Sequence, residues 1–203
     1  MSKEIVDKII KVIMDFLNKN TAKEVTKPDP VAVVTPLAAV VTVATDDINW
    51  NDPKSKISKY FTVEEAIYLR EWKRLANESD GLNDHVKSQL KRIFKEVMDP
   101  IRELLDKPVF IKSAYRSKAY NVAIGGAEFS AHMCIKDYAA VDFWTDQDGD
   151  GDKDGEDCNK IKELLRPKLI ELNIRLEDNG KGARWCHVDN KPVPSGGNRE
   201  FKP

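Results

Sequence analysis

The sequence predicts an α+β fold in which a small antiparallel sheet is flanked by helices. Apolar residues at helical spacing come first in the chain, short β-type runs dominate later, and the last two runs surround a glycine-containing turn. Helices followed by strands are typical of an α+β fold rather than of alternating βαβ units. The 203 residues, 41% of them hydrophobic and 33% charged, suffice for one globular domain and a tail.

The N-terminal residues are predicted to lie outside this domain. Residues 1–19 are predicted to form an amphipathic helix, because their apolar residues recur at helical spacing. Asp7, Lys8, Lys11 and Asp15 interrupt the apolar residues, whereas the core of a secretory signal is continuously apolar. Residues 20–50 carry three prolines and read as a linker or irregular arm. Their apolar run, 31–45, is shorter than the roughly 20 residues of a membrane span, so no transmembrane segment is expected. The folded domain is predicted over 51–203.

Two helices are predicted at the start of the domain. Thr62 followed by Glu65 forms a capping-box pattern, which predicts a helix from there to about Asn77. An apolar stripe over 86–105 predicts a longer second helix. Pro100 lies within this stripe and predicts a kink or break, because proline cannot donate a backbone hydrogen bond.

The remainder of the domain is predicted to alternate strands with short helices. PVFIKSAY and AAVDFW read as strands, and SKAYNVAI between them reads as a short helix. NKIKELLRPKLIEL reads as a helix that Pro167 splits. The run IRLEDNGKGARWCHVD predicts two final strands around a turn.

Charge and cysteine content exclude several classes of protein. The net charge of −1 gives no support for a nucleic-acid partner, which normally requires a basic patch. The three cysteines are widely spaced and contain no CxxC pair, which argues against a disulfide framework or a cysteine-rich zinc knuckle. We expect a monomer.

Two histidines and one aspartate in apolar surroundings are candidate metal ligands. His132, Asp142 and His187 offer nitrogen, oxygen and nitrogen donors, and a catalytic zinc takes three protein ligands with a fourth position for water. Strand alternation places His187 with Trp185 and Asp189 on one face. The spacing is less specific than HExxH, and the alternative is that both histidines are simply hydrogen-bonded.

The acidic segment after the second strand has the spacing of a calcium loop. A twelve-residue Ca²⁺ loop places oxygen ligands at positions 1, 3, 5, 7, 9 and 12, with glycine at position 6. With Asp146 at position 1, Gly151 occupies position 6. The ligand positions are then filled by Asp146, Asp148, Asp150, Asp152 (through its carbonyl), Asp154 and Asp157. The alternative is a solvated acidic turn.

SAYRSKAYNVAIGGAEFSAHMCIKDYAAVDF, followed by WCHVD, resembles a family of zinc peptidases. This family contains D-Ala-D-Ala carboxypeptidases and phage L-alanyl-D-glutamate endopeptidases, which are endolysins, and the resemblance covers 48–189. It implies a hedgehog/DD-peptidase-like fold whose sheet carries a zinc site, with His132, Asp142 and His187 as the ligands. It also implies that Arg116 contacts substrate or transition-state oxygens and that Ser130 supports the substrate or its loop.

The chain departs from the family pattern at three points, the first of which is Ala114 in place of the usual glycine. The interval between His132 and Asp142 is longer than in the family, which makes Asp137 the alternative ligand.

Where many relatives carry an acidic residue before the last histidine, this chain has Arg184, which cannot act as a base at neutral pH. Glu177 is therefore the candidate general base, with Asp189 and Asp178 as alternatives, and the hairpin register decides between them. Trp185, on the face of His187, is the candidate wall of a substrate cleft.

The predicted function is hydrolysis of stem peptides in bacterial peptidoglycan by a zinc metallopeptidase. The expected protein is a phage endolysin or virion-associated lysin, made in the host cytoplasm without a signal peptide and acting on the cell wall. A Ca²⁺ ion is expected to order the loop after a zinc ligand. Two alternatives stay open: a non-catalytic, metal-containing cell-wall binding module of the same fold, and a zinc hydrolase that acts on a different amide.

Overall fold

The computed structural model describes residues 48–203. The predicted N-terminal helix, 1–19, and the predicted arm up to residue 47 lie outside the described residues. Ile48 and Trp50, at the beginning of the described part, pack against the hydrophobic core.

A five-stranded sheet forms the centre of the fold. Its strands are β3 (Phe110–Ser113), β4 (Ala140–Trp144), β5 (Arg175–Glu177), β6 (Cys186–Asp189) and β7 (Glu200–Phe201). A separate two-stranded hairpin, β1 (Tyr68–Leu69) and β2 (Arg74–Leu75), precedes them in the chain. The order in the sheet is β3-β4-β6-β5-β7. Strands β3, β4, β6 and β5 pair antiparallel with one another in this order, which confirms the predicted α+β fold. Strand β7 was not predicted, and it pairs parallel with β5.

The first predicted helix begins as expected but is much shorter. Helix α1 (Val63–Ile67) starts with the Thr62–Glu65 capping box. The prediction that it continues to Asn77 is wrong, because the chain becomes extended at Tyr68 and forms the β1–β2 hairpin. Lys73, with φ of 51°, makes the left-handed turn between these strands. The hairpin buries Leu69 completely, so core packing outweighs local helix propensity there.

The second helical stretch runs as predicted, with a local irregularity before Pro100. Helix α2 (Asp84–Ile93) continues through a π-helical segment (Phe94–Met98) into α3 (Asp99–Leu105). Pro100 lies in the first turn of α3. Because proline has no N–H to donate to the preceding turn, the wider π-helical turns take up the mismatch without ending the helix.

The other two helices agree with the prediction only in part. Helix α4 (Lys118–Ala123) follows β3 as predicted. Helix α5 (Gly155–Leu165) begins before the predicted start at Asn159 and ends at a 3-10 turn (Arg166–Lys168) that contains Pro167, so the predicted helical continuation to Leu172 is wrong. No helix within residues 48–203 is long and apolar enough to cross a membrane.

The two faces of the central strands have different roles. Val141 and Phe143 of β4 and Cys186 and Val188 of β6 are fully buried and join the hydrophobic core. Asp142 and the residues that alternate with this set therefore point to the opposite face of the sheet. This opposite face carries the candidate functional site.

Candidate metal centre

Three elements bring His132, Asp142 and His187 together. His132 lies on a 3-10 turn (Ala131–Met133), Asp142 at the middle of β4, and His187 on β6 directly opposite Asp142. One ligand atom from each lies within 4.8 Å of the others. The predicted ligands, separated widely in sequence, therefore meet on one face of the sheet.

The imidazole of His132 is oriented by a backbone carbonyl. Its Nδ1–H donates to the carbonyl oxygen of Ala114 at 2.7 Å, which leaves Nε2 without a proton. Burial lowers the pKa of His132, so the ring is neutral. Nε2 is buried without a hydrogen-bond partner, although Oδ1 of Asp142 lies 3.3 Å away. Since two acceptor atoms face each other at this distance, the arrangement fits a cation between them.

His187 approaches the same carboxylate oxygen from the neighbouring strand. Its Nδ1 lies 2.7 Å from Oδ1 of Asp142, and its Nε2 lies 3.8 Å from Oδ2 of Asp189. Burial works against protonation of His187, but the hydrogen bond to Asp142 and the nearby carboxylate of Asp189 raise its pKa to about 9. Burial likewise opposes ionisation of Asp142, yet the hydrogen bond from the protonated His187 holds the pKa of that carboxyl well below its usual range.

The donor set is compatible with zinc. Ligand atoms around a tetrahedral zinc with bonds of about 2.0–2.2 Å lie roughly 3.3–3.6 Å apart. The separation between His132 Nε2 and Asp142 Oδ1, 3.3 Å, already has this value. Two imidazole nitrogens and one carboxylate oxygen, each oriented by a further group, match the composition of catalytic zinc sites.

Arg116 contacts the second oxygen of the Asp142 carboxylate. Its Nη2 lies 2.5 Å from Oδ2 of Asp142, and its Nε donates to Ser113 Oγ at 2.9 Å. Oδ1 is thereby left to face both histidines. The resemblance implied that Arg116 contacts substrate oxygens. In the structure its guanidinium contacts Asp142, and Arg116 also lines an open cleft.

An open cleft of about 370 Å³ lies above this group. It is lined by several residues that the sequence singled out, namely Arg116, Ser130, His132, Asp142, Glu177, Trp185 and His187. Ser130 caps the turn that carries His132, since its Oγ accepts the backbone N–H of His132 at 3.4 Å. Trp185 forms part of the wall, and the Nζ atom of Lys112 lies 3.0 Å from the centroid of its ring.

The hairpin register places Glu177 on the face of His187. Arg175 pairs with Asp189 and Leu176 with Val188, so Glu177 follows on the side of the cleft. Burial raises the pKa of Glu177. Within residues 48–203 its carboxylate makes no hydrogen bond or ion pair, so it is free to accept a proton in the cleft.

The alternative candidates for the base and for the metal ligand have other surroundings. Asp189 binds Arg175 through both oxygens, at 2.8 and 2.6 Å, and although burial opposes it, this pairing lowers the pKa of Asp189 to about 2. Asp178 lines a separate cavity with Lys162. Asp137, the alternative metal ligand, lines another cavity beside Arg92 and is not part of the converging group.

The acidic loop brings its carboxylates together in two overlapping groups. Asp146, Asp148 and Asp157 form one, and Asp152, Asp154 and Asp157 form the other, with ligand atoms within 4.8 Å in each. Asp157 is buried and common to both. Gly151 has a φ of +89°, as expected for the glycine position of the loop. Asp150 lies outside both groups, and its Oδ1 accepts the N–H of Asp152.

Two supporting contacts of the site were not found from the sequence. The carbonyl of Ala114 that orients His132 carries no signal in the sequence, because every residue has such a group. The Arg175–Asp189 pair beside His187 could have been suggested by the opposite charges on two adjacent strands, once their register was known.

Comparison with known proteins identifies the family. The profile described as Peptidase M15 matches residues 59–163, just over half of the chain. The matched part includes Arg116, His132 and Asp142 and ends before Glu177 and His187. No curated protein and no solved structure matches the chain significantly. The chain, with its His-Asp-His group on the face of a small sheet, belongs to the Peptidase M15 family of zinc-dependent peptidases that act on peptidoglycan.

Proposed function

We propose that this protein hydrolyses peptide bonds in the stem peptides of bacterial peptidoglycan, as a phage endolysin or virion-associated lysin. His132, Asp142 and His187 are the proposed zinc ligands. The observation that carries the proposal is the buried, unpartnered Nε2 of His132, which faces Asp142 on the floor of an open cleft. The phage assignment is supported by the sequence resemblance to phage endopeptidases.

The residues around the cleft have complementary roles in this proposal. Zinc, when bound, polarises a peptide carbonyl and lowers the pKa of a bound water towards about 7. Glu177 accepts a proton from the attacking water and delivers it to the nitrogen of the leaving amine. Arg116 orients Asp142 through its contact with Oδ2. Ser130 holds the turn of His132, and Trp185 provides an apolar wall for the peptide.

The proposal is tested with purified peptidoglycan and zinc-loaded protein. Peptide-bond hydrolysis releases new amino groups, and mass spectrometry of the fragments identifies the bond. Glu177→Gln should lower the rate about 10²–10⁴-fold, as loss of a general base does, while zinc content stays unchanged. Glu163→Gln, at an exposed position on α5, is the matched control.

Two outcomes would contradict this assignment in different ways. Full activity of Glu177→Gln would remove Glu177 as the base and leave the peptidase intact. Wild-type protein that binds zinc and cell walls but releases no amino groups would favour the non-catalytic binding module, the alternative suggested by Arg184 at the usual acidic position.

We further propose that the loop 146–157 binds Ca²⁺. Neighbouring carboxylates, above all that of Asp150, raise the pKa of Asp152, and a divalent cation would relieve this repulsion. The positive φ of Gly151 at the sixth position and the burial of Asp157 at the twelfth position also support Ca²⁺ binding by this loop. Since the loop directly follows β4, calcium would help to position Asp142.

Calcium dependence is measured in a medium buffered to constant free zinc. Peptidase activity should fall when calcium alone is withdrawn, and Asp146→Asn should reproduce the loss in the presence of calcium. Equal activity with and without calcium would defeat the proposed coupling.

A further inference from the structure

A second group of side chains extends the cleft face of the sheet beyond the metal centre. Phe110 of β3 pairs with Trp144 of β4, and their rings are stacked with centroids 4.6 Å apart. The Nζ atom of Lys112 lies 3.0 Å from the centroid of the Trp185 ring, and that of Lys153 lies 5.2 Å from the centroid of the Trp144 ring. We call these five residues the aromatic–cationic shelf.

The geometry of β3 explains why Lys112 reaches this position. Ile111 pairs with Phe143 and Ser113 with Asp142, so the register shifts between them and Lys112 is the extra residue of a β-bulge. A bulge redirects a side chain and is common beside active sites. From β3, Lys112 extends across β4 to the tryptophan that precedes β6.

The positive charges of the shelf have no anionic partners. Lys112, Lys153 and the nearby Arg70 and Arg184 form no ion pair with any carboxylate of residues 48–203. Burial, together with the charges of Lys153, Arg116 and Arg70, lowers the pKa of Lys112, although Asp142 acts in the opposite direction. Burial and the charges of Arg70 and Arg184 lower the pKa of Lys153. These cations therefore lie close enough to repel one another, in a chain whose net charge is −1.

The shelf lies within reach of a peptide bound at the metal centre. Trp185 precedes His187 by two positions, which corresponds to roughly 7 Å along a strand. An extended peptide advances about 3.3–3.6 Å per residue. A group bound at the shelf would therefore belong to a residue about two positions from the scissile bond.

We propose that the aromatic–cationic shelf, which adjoins the cleft at Trp185, is a subsite that binds a carboxylate of the peptide substrate. This inference rests on the proposed function, because it assumes that a peptide crosses the metal centre. Lys112 and Lys153 supply the positive charge, and the indole faces beneath them fix their positions. The lysines cover these ring faces, so the shelf is less suited to stacking a sugar.

Binding is measured with a pair of synthetic stem peptides and zinc-loaded Glu177→Gln protein, with cleavage monitored in parallel. The two peptides are identical except that all carboxylates are free in one and are primary amides in the other. The free-carboxylate peptide should bind about tenfold more tightly or better, as expected for one or two charge-assisted contacts. Isothermal titration calorimetry at two salt concentrations gives both dissociation constants.

Variants of the shelf separate its charge from its structural role. Lys112→Gln and Lys153→Gln should each reduce the preference for the carboxylate severalfold, with little effect on the amide peptide, and the double variant should abolish it. Lys112→Arg should retain the preference. Lys54→Gln, at an exposed position outside the shelf, is the control and should behave as the parent. Lys153 lies on a loop, so its variant remains informative if Lys112→Gln fails to fold.

The possible outcomes distinguish this inference from the proposed function. Equal binding of the two peptides to the parent, or an unchanged preference in the double variant, would overturn the carboxylate subsite. Binding of poly(glycerol phosphate) that depends on Lys112, without any peptide preference, would assign the shelf to a wall polymer instead and would also overturn it. Lysine-dependent preference in a wild-type protein that cleaves no peptidoglycan would support the subsite and remove only the proposed activity.

Discussion

Zinc binding at pH 7 should release about one proton from His187, in addition to about half a proton from the zinc-bound water. The pKa of Asp142 is well below its usual range and burial lowers that of His132, so both are already unprotonated at pH 7. His187, with a pKa of about 9, carries a proton on the nitrogen that faces Asp142. Because a metal ligand must be unprotonated, zinc has to displace this proton.

The size of the effect follows from the difference between the pKa and the working pH. A pKa about 2 units above pH 7 weakens apparent zinc binding about 100-fold, or about 2.7 kcal/mol, relative to the unprotonated ring. The contribution of His187 to the apparent affinity should therefore rise about tenfold per pH unit between pH 6.5 and 8.5 and become constant above about pH 9.

Calorimetry in buffers with different ionisation enthalpies measures the number of protons released. His85→Gln removes an exposed histidine and should leave this number unchanged. A zinc affinity that is independent of pH between 6.5 and 8.5, or a release of no protons, would refute the assignment of His187 Nδ1 as a ligand atom.

Three further outcomes follow from the contacts of the site and the core. Arg116→Met should weaken zinc binding about 10–100-fold, which is typical for loss of a group that hydrogen-bonds to a metal ligand. Competition with a chromophoric chelator measures this change. Burial raises the pKa of Glu177 above its usual value of 4.5, so kcat/KM should fall at low pH with an apparent pKa above 4.5. A decrease in kcat/KM with an apparent pKa at or below 4.5 would argue against Glu177 as the base. Leu90→Ala, at a fully buried position, should lower the free energy of unfolding by about 2–5 kcal/mol in urea titrations, and a loss under 1 kcal/mol would contradict the packing described.

The sequence predicted those parts of the fold whose signals are local. The capping box at Thr62, the stripe of the second helix and the apolar strand β4 each depend on neighbouring residues, and all are present. The end of α1 was not predictable in this way, because Leu69 is drawn into an extended hairpin by contacts with residues distant in sequence. The parallel pairing of β7 with β5 is equally non-local and left no pattern in its two residues.

The candidate site shows the same division. Strand alternation placed His187, Trp185 and Asp189 on one face, and the structure has them lining one cleft. The position of Glu177 depended on the hairpin register, which alternation alone could not fix. The ion pair between Arg116 and Asp142 joins the loop after β3 to strand β4 and could not be predicted from either segment alone.

The order of the strands in the sheet also limits when the metal centre can exist during synthesis. β4 lies between β3 and β6, and the partner that supplies His187 emerges from the ribosome 45 residues after Asp142. Until that late segment inserts beside β4, the nascent chain holds only two of the three donors and leaves one edge of β4 unpaired. The proposed metal centre is therefore complete only after β6 has paired with β4, and a peptidase that depends on it would be inert until then.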